Sequence, residues 1–189
     1  MRVVKKPEER KAEMVAAASK LFAQQGFVRT SVAEIVSAVD VAKGLFYYYF
    51  TTKDDMVKAV VEGYCSYLGA RAQTIAHTDE GARDKMRKLM DRSVWHACFT
   101  APLYADLCLP QHAALYSDMC DRVYAHMGPP VKEIVRQALA ERGEDPAKAD
   151  VLVGMGLYGM LMMARRGEMT MDMTDRMIDR LLGYGDDAA

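Results

Sequence analysis

Residues 30–53 read TSVAEIVSAVDVAKGLFYYYFTTK, from Thr30 to Lys53, and this stretch decides the fold. Ser31 and Glu34 stand in the S-x-x-E spacing that satisfies the open N–H groups of a helix start, which predicts a short helix running to about Val39. A turn around Asp40 leads into a third short helix over Ala42–Tyr49. Thr52-Lys53-Asp54-Asp55 then offers the N-cap of a long fourth helix, with Val57, Val60, Val61, Tyr64, Leu68 and Ile75 on one face. Upstream, Met14, Ala18, Leu21 and Phe22 follow helical spacing between Glu8 and Gln25, and Pro7 sits where a first turn tolerates it. Gly26 ends that helix, and Phe27 is placed to pack back on its last turn.

Downstream, further helical stretches are expected at about 81–99, 103–109, 111–127, 130–142, 146–165 and 171–183, separated by glycine and proline signals such as Gly128-Pro129-Pro130. No segment carries a sustained apolar alternation of period two, so the expected fold class is all-α. The chain of 189 residues is 51% apolar and 27% charged with a net charge of −1, which excludes disorder and a polybasic protein. That balance hides an asymmetry. Residues 1–53 hold nine Lys and Arg against five acids, whereas the remainder holds sixteen against twenty-one. A basic N-terminal third points to a polyanion-binding head on a body with another task. The longest apolar run, Val151–Ala164, has 14 residues, short of a membrane span, and the polar start MRVVKKPEERK has no signal-peptide core. The expectation is a cytoplasmic protein without a membrane partner. Cys65, Cys98, Cys108 and Cys120 form no CxxC pair, which fits reduced thiols and neither a disulfide framework nor structural zinc.

Short helices leading into a basic, aromatic third helix are what a helix-turn-helix needs. In Thr30, Ser31, Ile35, Ala38, Val41, Gly44, Phe46, Tyr47, Tyr49, Phe50 and Lys53 the stretch resembles the TetR family of bacterial transcriptional regulators. Asp40 stands where that family has a turn glycine, and Ala42 where it has a capping serine. An aspartate tolerates left-handed backbone angles, and its carboxylate is placed to take over the missing cap. The resemblance implies a DNA-binding helix-turn-helix domain over 1–53 and an effector-binding and dimerisation domain over 54–189. It implies a double-stranded DNA operator, palindromic for a homodimer, and a repressor released by a small apolar or aromatic ligand. The resemblance implies the contacts, and chemistry supports them: Thr30 and Ser31 hydroxyls to a phosphate, Lys43 to a base edge or phosphate, Lys53 to a phosphate. Gly44 permits close approach, and Tyr48 and Tyr49 bring hydroxyl donors, while Tyr47, Phe46 and Phe50 are expected in the core.

In the body, the helix over 146–165 is apolar on nearly every side and needs burial on several faces. Gly156 and Gly159 there, with Met163, allow a second helix close, and Met177 and Leu181 lie on the apolar stripe of the last helix. These five are the expected dimer interface, a four-helix arrangement from two chains. A ligand pocket is expected among Met86, Met90, Trp95, His96, Phe99 and Tyr104, continuing through Cys108, His112, Tyr116, Met119 and Cys120, since methionine and aromatic residues with a few polar anchors suit an adaptable cavity. A thiol or metal sensor built on Cys98, Cys108 and Cys120 is the sharper alternative, without chelating spacing to support it. The run Gly154-Met155-Gly156-Leu157-Tyr158-Gly159 spells G-x-G-x-x-G, but no parallel sheet is available to make it a dinucleotide site. No cofactor, metal or catalytic residue is expected. The rival readings are an all-helical enzyme, for which no HExxH or G-x-S-x-G pattern exists, and an adaptor that does not bind DNA.

Overall fold

The computed structural model describes residues 6–91, 93 and 101–183, without the side chains of residues 171 and 181. Trp95, His96, Cys98 and Phe99 therefore lie outside the described residues, as do the side-chain surroundings of Leu181. The described residues form nine α-helices and no strand: α1 (Pro7–Gln25), α2 (Val32–Ala38), α3 (Lys43–Tyr49), α4 (Lys53–Ala76), α5 (Ala82–Leu89), α6 (Pro102–Cys108), α7 (Ala113–Glu141), α8 (Ala149–Arg165) and α9 (Met171–Leu181). Short 3-10 turns at Pro110–His112 and Pro146–Lys148 lead into α7 and α8.

Contacts gather the chain into two units, one from Met1–Gly63 with Cys98–Met119, the other from Tyr64–Ala97 with Cys120–Ala189. The first unit thus runs past residue 53 and takes in a mid-chain segment that sequence reading placed in the body. Its framework starts at α1, which buries Met14, Ala18 and Phe22 and ends at Gly26, φ 80°, whose N–H reaches the Phe22 carbonyl. Phe27 packs back on Phe22, ring centroids 6.2 Å apart. Ser31 and Glu34 close the expected capping box of α2, and Ile35 and Val36 turn inward. Asp40 adopts φ 51°, the left-handed angle its turn requires. Thr52 and Asp55 close a second box at the start of α4: the Asp55 carboxylate accepts from the Thr52 N–H and hydroxyl, both at 2.9 Å.

The mid-chain segment completes this unit. Helix α6 packs on α1 and buries Leu103 and Leu107. Its Asp106 carboxylate accepts the Val28 N–H at 2.8 Å, and the His112 ring lies 4.8 Å from that of Phe27. Gly26 is required twice over. Its φ favours glycine, and a Cβ there would fall 2.3 Å from an Asp106 carboxylate oxygen.

The second unit is a helical core of Ala72, Met86, Leu89, Ile134, Val135, Leu139, Val153 and Leu157, drawn from α4, α5, α7 and α8. Helices α4 and α7 come close where Gly69 faces His126, whose Cβ and carbonyl oxygen would both lie 2.9 Å from an added Cβ. Buried Lys85 ties α5 to its neighbours by donating to the Ala76 carbonyl at 2.9 Å, at the end of α4, and to Gln137 at 2.8 Å. The break expected at Gly128-Pro129-Pro130 does not occur: α7 runs through both prolines for 29 residues. The prolines cannot donate to the carbonyls of Ala125 and His126, yet burial of Met127, Val131 and Ile134 on one continuous stripe keeps the helix whole.

Helix α8 divides its apolar residues between two faces. Val153, Leu157, Met160 and Leu161 are buried, whereas Val151, Met155, Tyr158 and Met162 are exposed, Met155 at 73%. By length and composition alone Pro146–Arg165 is apolar enough to cross a membrane, which the 14-residue run had not suggested. Its inner face belongs to the core just described, as in core helices of globular proteins that pass the same test.

Candidate functional site

Within the first unit, α3 is held by Phe46 and Phe50 on its inner side and turns its first residue, Lys43, outward with Gly44. A Cβ at Gly44 would meet nothing within 4 Å, so the fold does not require glycine there. Tyr48 is 75% exposed. Tyr47, expected in the core, is 51% exposed and carries the Lys43 ammonium 5.9 Å from its ring centroid, one helical turn away. Tyr49 is half-buried, its ring edge-on to that of Tyr48 at 4.9 Å. The outer face of α3 therefore presents a cation, a bare backbone and tyrosine hydroxyls. Asp40 does not supply the cap of α3, because Ala42 stands at that position without a side-chain hydrogen bond.

The turn before α2 differs from expectation in two residues. Thr30 is 1% exposed, and its hydroxyl donates to the Gly26 carbonyl at 2.6 Å and accepts from Gln25 at 3.2 Å, which takes it out of reach of a phosphate. The Lys53 ammonium donates to the carbonyls of Phe27 at 2.8 Å and Thr30 at 3.2 Å, so its primary partners belong to the turn. Ser31 stays exposed at the start of α2, where its backbone and side-chain hydrogen bonds hold the Glu34 carboxyl below its usual range.

The described residues expected to line one pocket are divided between the two units. Tyr104, Cys108, His112, Tyr116 and Met119 belong to the first unit, Met86, Met90 and Cys120 to the second. Tyr116 is fully buried, its hydroxyl 3.1 Å from that of Tyr104, and burial first, then this partner, pushes the Tyr104 phenol up. The His112 Nδ1 lies 2.7 Å from the Asp106 carbonyl. These are internal partners of the first unit's core.

A cavity does exist within the second unit, small at about 30 Å³ and lined by apolar side chains throughout. Met86 and Leu89 come from α5 and Met90 from its C-cap, Met127 and Val131 from α7, Val153, Leu157 and Met160 from α8, Met177 and Ile178 from α9. Sequence reading found two of its methionines and missed the rest, since a helical stripe shows burial but not which stripes converge. Gly156 and Met177, expected at the dimer interface, line this cavity. Gly159 lies on the exposed side of α8, where a Cβ would meet nothing within 4 Å, and Met163 is half-buried. Beside it the Tyr158 hydroxyl donates to Asp121 at 2.8 Å, a bond that pushes its phenol up to about 12.

A two-unit all-helical protein with an outward-facing recognition helix is the class that these observations define, and comparison with known proteins places it. Residues 14–60 match the family described as bacterial regulatory proteins, tetR family. It is 30% identical over 115 residues to the HTH-type transcriptional regulator HbdR of Aromatoleum sp. (strain CIB), covering 61% of this chain and 48% of that protein. To the HTH-type transcriptional repressor KstR2 of Mycobacterium tuberculosis it is 26% identical over 88 residues, 47% of this chain and 44% of the relative. The matches span about half the length of these curated relatives. Among solved structures, RolR in complex with resorcinol superposes with a TM-score of 0.69 at 17% identity, over 94% of this chain and 87% of that one. A TetR/AcrR-family transcriptional regulator from Thermobifida fusca YX-ER1 gives 0.63 at 20% identity, over 94% and 98%. At such identities the superpositions speak for the fold alone.

Proposed function

We propose that the chain is a DNA-binding transcriptional regulator, a repressor that grips a palindromic double-stranded operator as a homodimer and is released by a small apolar or aromatic ligand. The observation that carries this reading is the outer face of α3. Lys43, Gly44 and Tyr48 face solvent there in a family-matched helix-turn-helix whose inner residues, Ile35 and Phe46, are fully buried. An α-helix so exposed fits a major groove about 12 Å wide, with Lys43 at a base edge or phosphate. Ser31, the half-buried Tyr49 and the α2 N–H groups then serve the phosphate backbone.

Dimerisation is proposed through the exposed side of α8, where Val151, Met155, Gly159 and Met162 recur at helical spacing, together with α9. The two-fold axis would set two recognition helices one DNA turn apart, about 34–36 Å. The ligand belongs to the second unit, between α5, α7, α8 and α9. Helix α4, continuous from Lys53 to Ala76, is the element proposed to carry its effect to the head. The protein then works in the cytoplasm, with residues 1–53 reading DNA and 54–189 sensing and dimerising.

The test is retention on DNA. Fragments of the source genome are selected on the purified protein, and the enriched site is titrated at several salt concentrations. Specific binding that weakens with salt, at a site with two-fold symmetry, supports the reading. Enrichment of no sequence over bulk DNA overturns it in favour of an adaptor.

A further inference from the structure

The dry cavity of the second unit has a polar neighbour. A vestibule of about 560 Å³ lies between α5 and α9, and Met86, Met90 and Ile178 line both spaces. The two differ in chemistry. The inner space has no polar side chain in its wall, so a hydroxyl or charge pushed into it would lose its water without gaining a partner. Only hydrocarbon can enter. Met86 on α5 and Met90 at its C-cap lie one turn apart, and methionine, with three rotatable bonds, adapts its packing to an incoming group.

The vestibule is lined by charges of both signs: Arg83 and Arg87 from α5, then Asp91, Asp175 and Asp179. Arg83 stands 3.7 Å from Asp179, a long and half-exposed ion pair. The Asp91 carboxylate accepts from the Ser93 N–H at 2.8 Å. A carboxylate head on a ligand would meet three like charges here, and an ammonium head would meet two. A hydroxyl adds no charge, and it can donate to a carboxylate while accepting from a guanidinium.

We propose that this site takes a neutral amphiphile, a hydrocarbon chain or ring bearing a single hydroxyl. The hydrocarbon body lies in the vestibule against Met86, Met90 and Ile178 and puts its terminal carbon into the inner cavity of about 30 Å³, while the hydroxyl stays between Arg83 and Asp179. This rests on the reading of the second unit as the ligand-binding part and narrows the chemistry of its ligand. A molecule with hydroxyls at both ends is excluded, because one of them would enter the dry space.

The test is calorimetric titration of the full chain, without DNA, with three probes of equal length: 1-octanol, octanoate and octyltrimethylammonium. The alcohol should bind, and each charged probe should bind about tenfold more weakly or less. Met90→Trp should abolish alcohol binding while the helical circular dichroism and thermal unfolding stay those of the parent. Because the probe comparison uses the unaltered chain, it stands even where that variant fails to fold. Equal or tighter binding of a charged probe, no binding of 1-octanol up to its solubility, or full binding by folded Met90→Trp each overturns the inference. Octanol binding that leaves operator affinity unchanged keeps this site and overturns the regulatory reading. Operator release by another molecule at a site unaffected by Met90→Trp does the reverse.

Discussion

At Lys53 a single ammonium holds the turn between α1 and α2 to the start of α4 through the carbonyls of Phe27 and Thr30. Lys53→Met removes both bonds while keeping the aliphatic stem, and hydrogen bonds from a charged group are worth about 1.5–3 kcal/mol each at most when part-buried. Urea unfolding of the variant should show a loss of about 1–3 kcal/mol. The salt slope of DNA binding should change by well under the ~1 unit expected for a lost phosphate contact, which Lys43→Ala should show instead. A full unit lost at Lys53 with unchanged stability would return it to the phosphate. Glu34 and Asp55 carry a pH signature. Hydrogen bonds from Ser31 and from Thr52 hold their carboxyls below the ordinary 4.5 and 3.8. Depressed folded values mean stability that is complete above those ordinary values and is lost as pH falls through the lowered ones. Glu34→Gln, which removes the titrating carboxyl, should therefore flatten the acid limb of the thermal midpoint against pH, and an unaltered limb would show that Glu34 contributes nothing to it. These two boxes were legible because they are written within four consecutive residues. Thr30 was not, since the spacing that marks a helix start is silent on which of two adjacent hydroxyls turns inward.

Helix α8 is legible in amount and illegible in direction. Its composition announces burial on several faces, yet only neighbours drawn from α5, α7 and α9 decide that Gly156 faces a cavity and Gly159 faces outward. The distinction gives a clean experiment. An added methyl at Gly159 meets nothing within 4 Å, so Gly159→Ala should leave the folded chain unharmed or raise its stability by up to about 1 kcal/mol through helix propensity. Gly159→Leu should keep the fold and, by holding two helices apart, shift sedimentation from dimer to monomer with loss of operator binding. An intact Gly159→Leu dimer would move the interface off this face. Gly69 predicts the opposite behaviour. A methyl there would press on the Cβ and carbonyl of His126, so Gly69→Ala should cost about 1–3 kcal/mol by overpacking, measured by denaturant unfolding. Helix α7 taught a related lesson. Two adjacent prolines read as a stop, but tertiary burial along Met127, Val131 and Ile134 outweighed the lost backbone bonds.

Over the whole molecule, the proposed ligand and operator can influence each other only through a free-energy difference between two states. A hundredfold loss of DNA affinity needs about 2.7 kcal/mol, and operator DNA must then weaken the ligand by the same factor. Met90→Trp, which fills the cavity of the second unit, should abolish induction and leave operator binding intact. Tyr116→Trp should instead destabilise the first unit, because Tyr116 is fully buried there beside Tyr104. The chain-wide division into units was the least legible feature, since Asp106 meets Val28 across 78 positions and no local pattern announces such a partner. That carboxylate and the ring of His112 complete the turn after α1. A ribosome adding about 5–20 residues per second therefore delivers α3 some seconds before the carboxylate that steadies the turn behind it. Until then the nascent head is unfinished, and a message truncated between residues 63 and 98 yields a product without the segment that completes it. Such fragments should be cleared by proteases rather than persist.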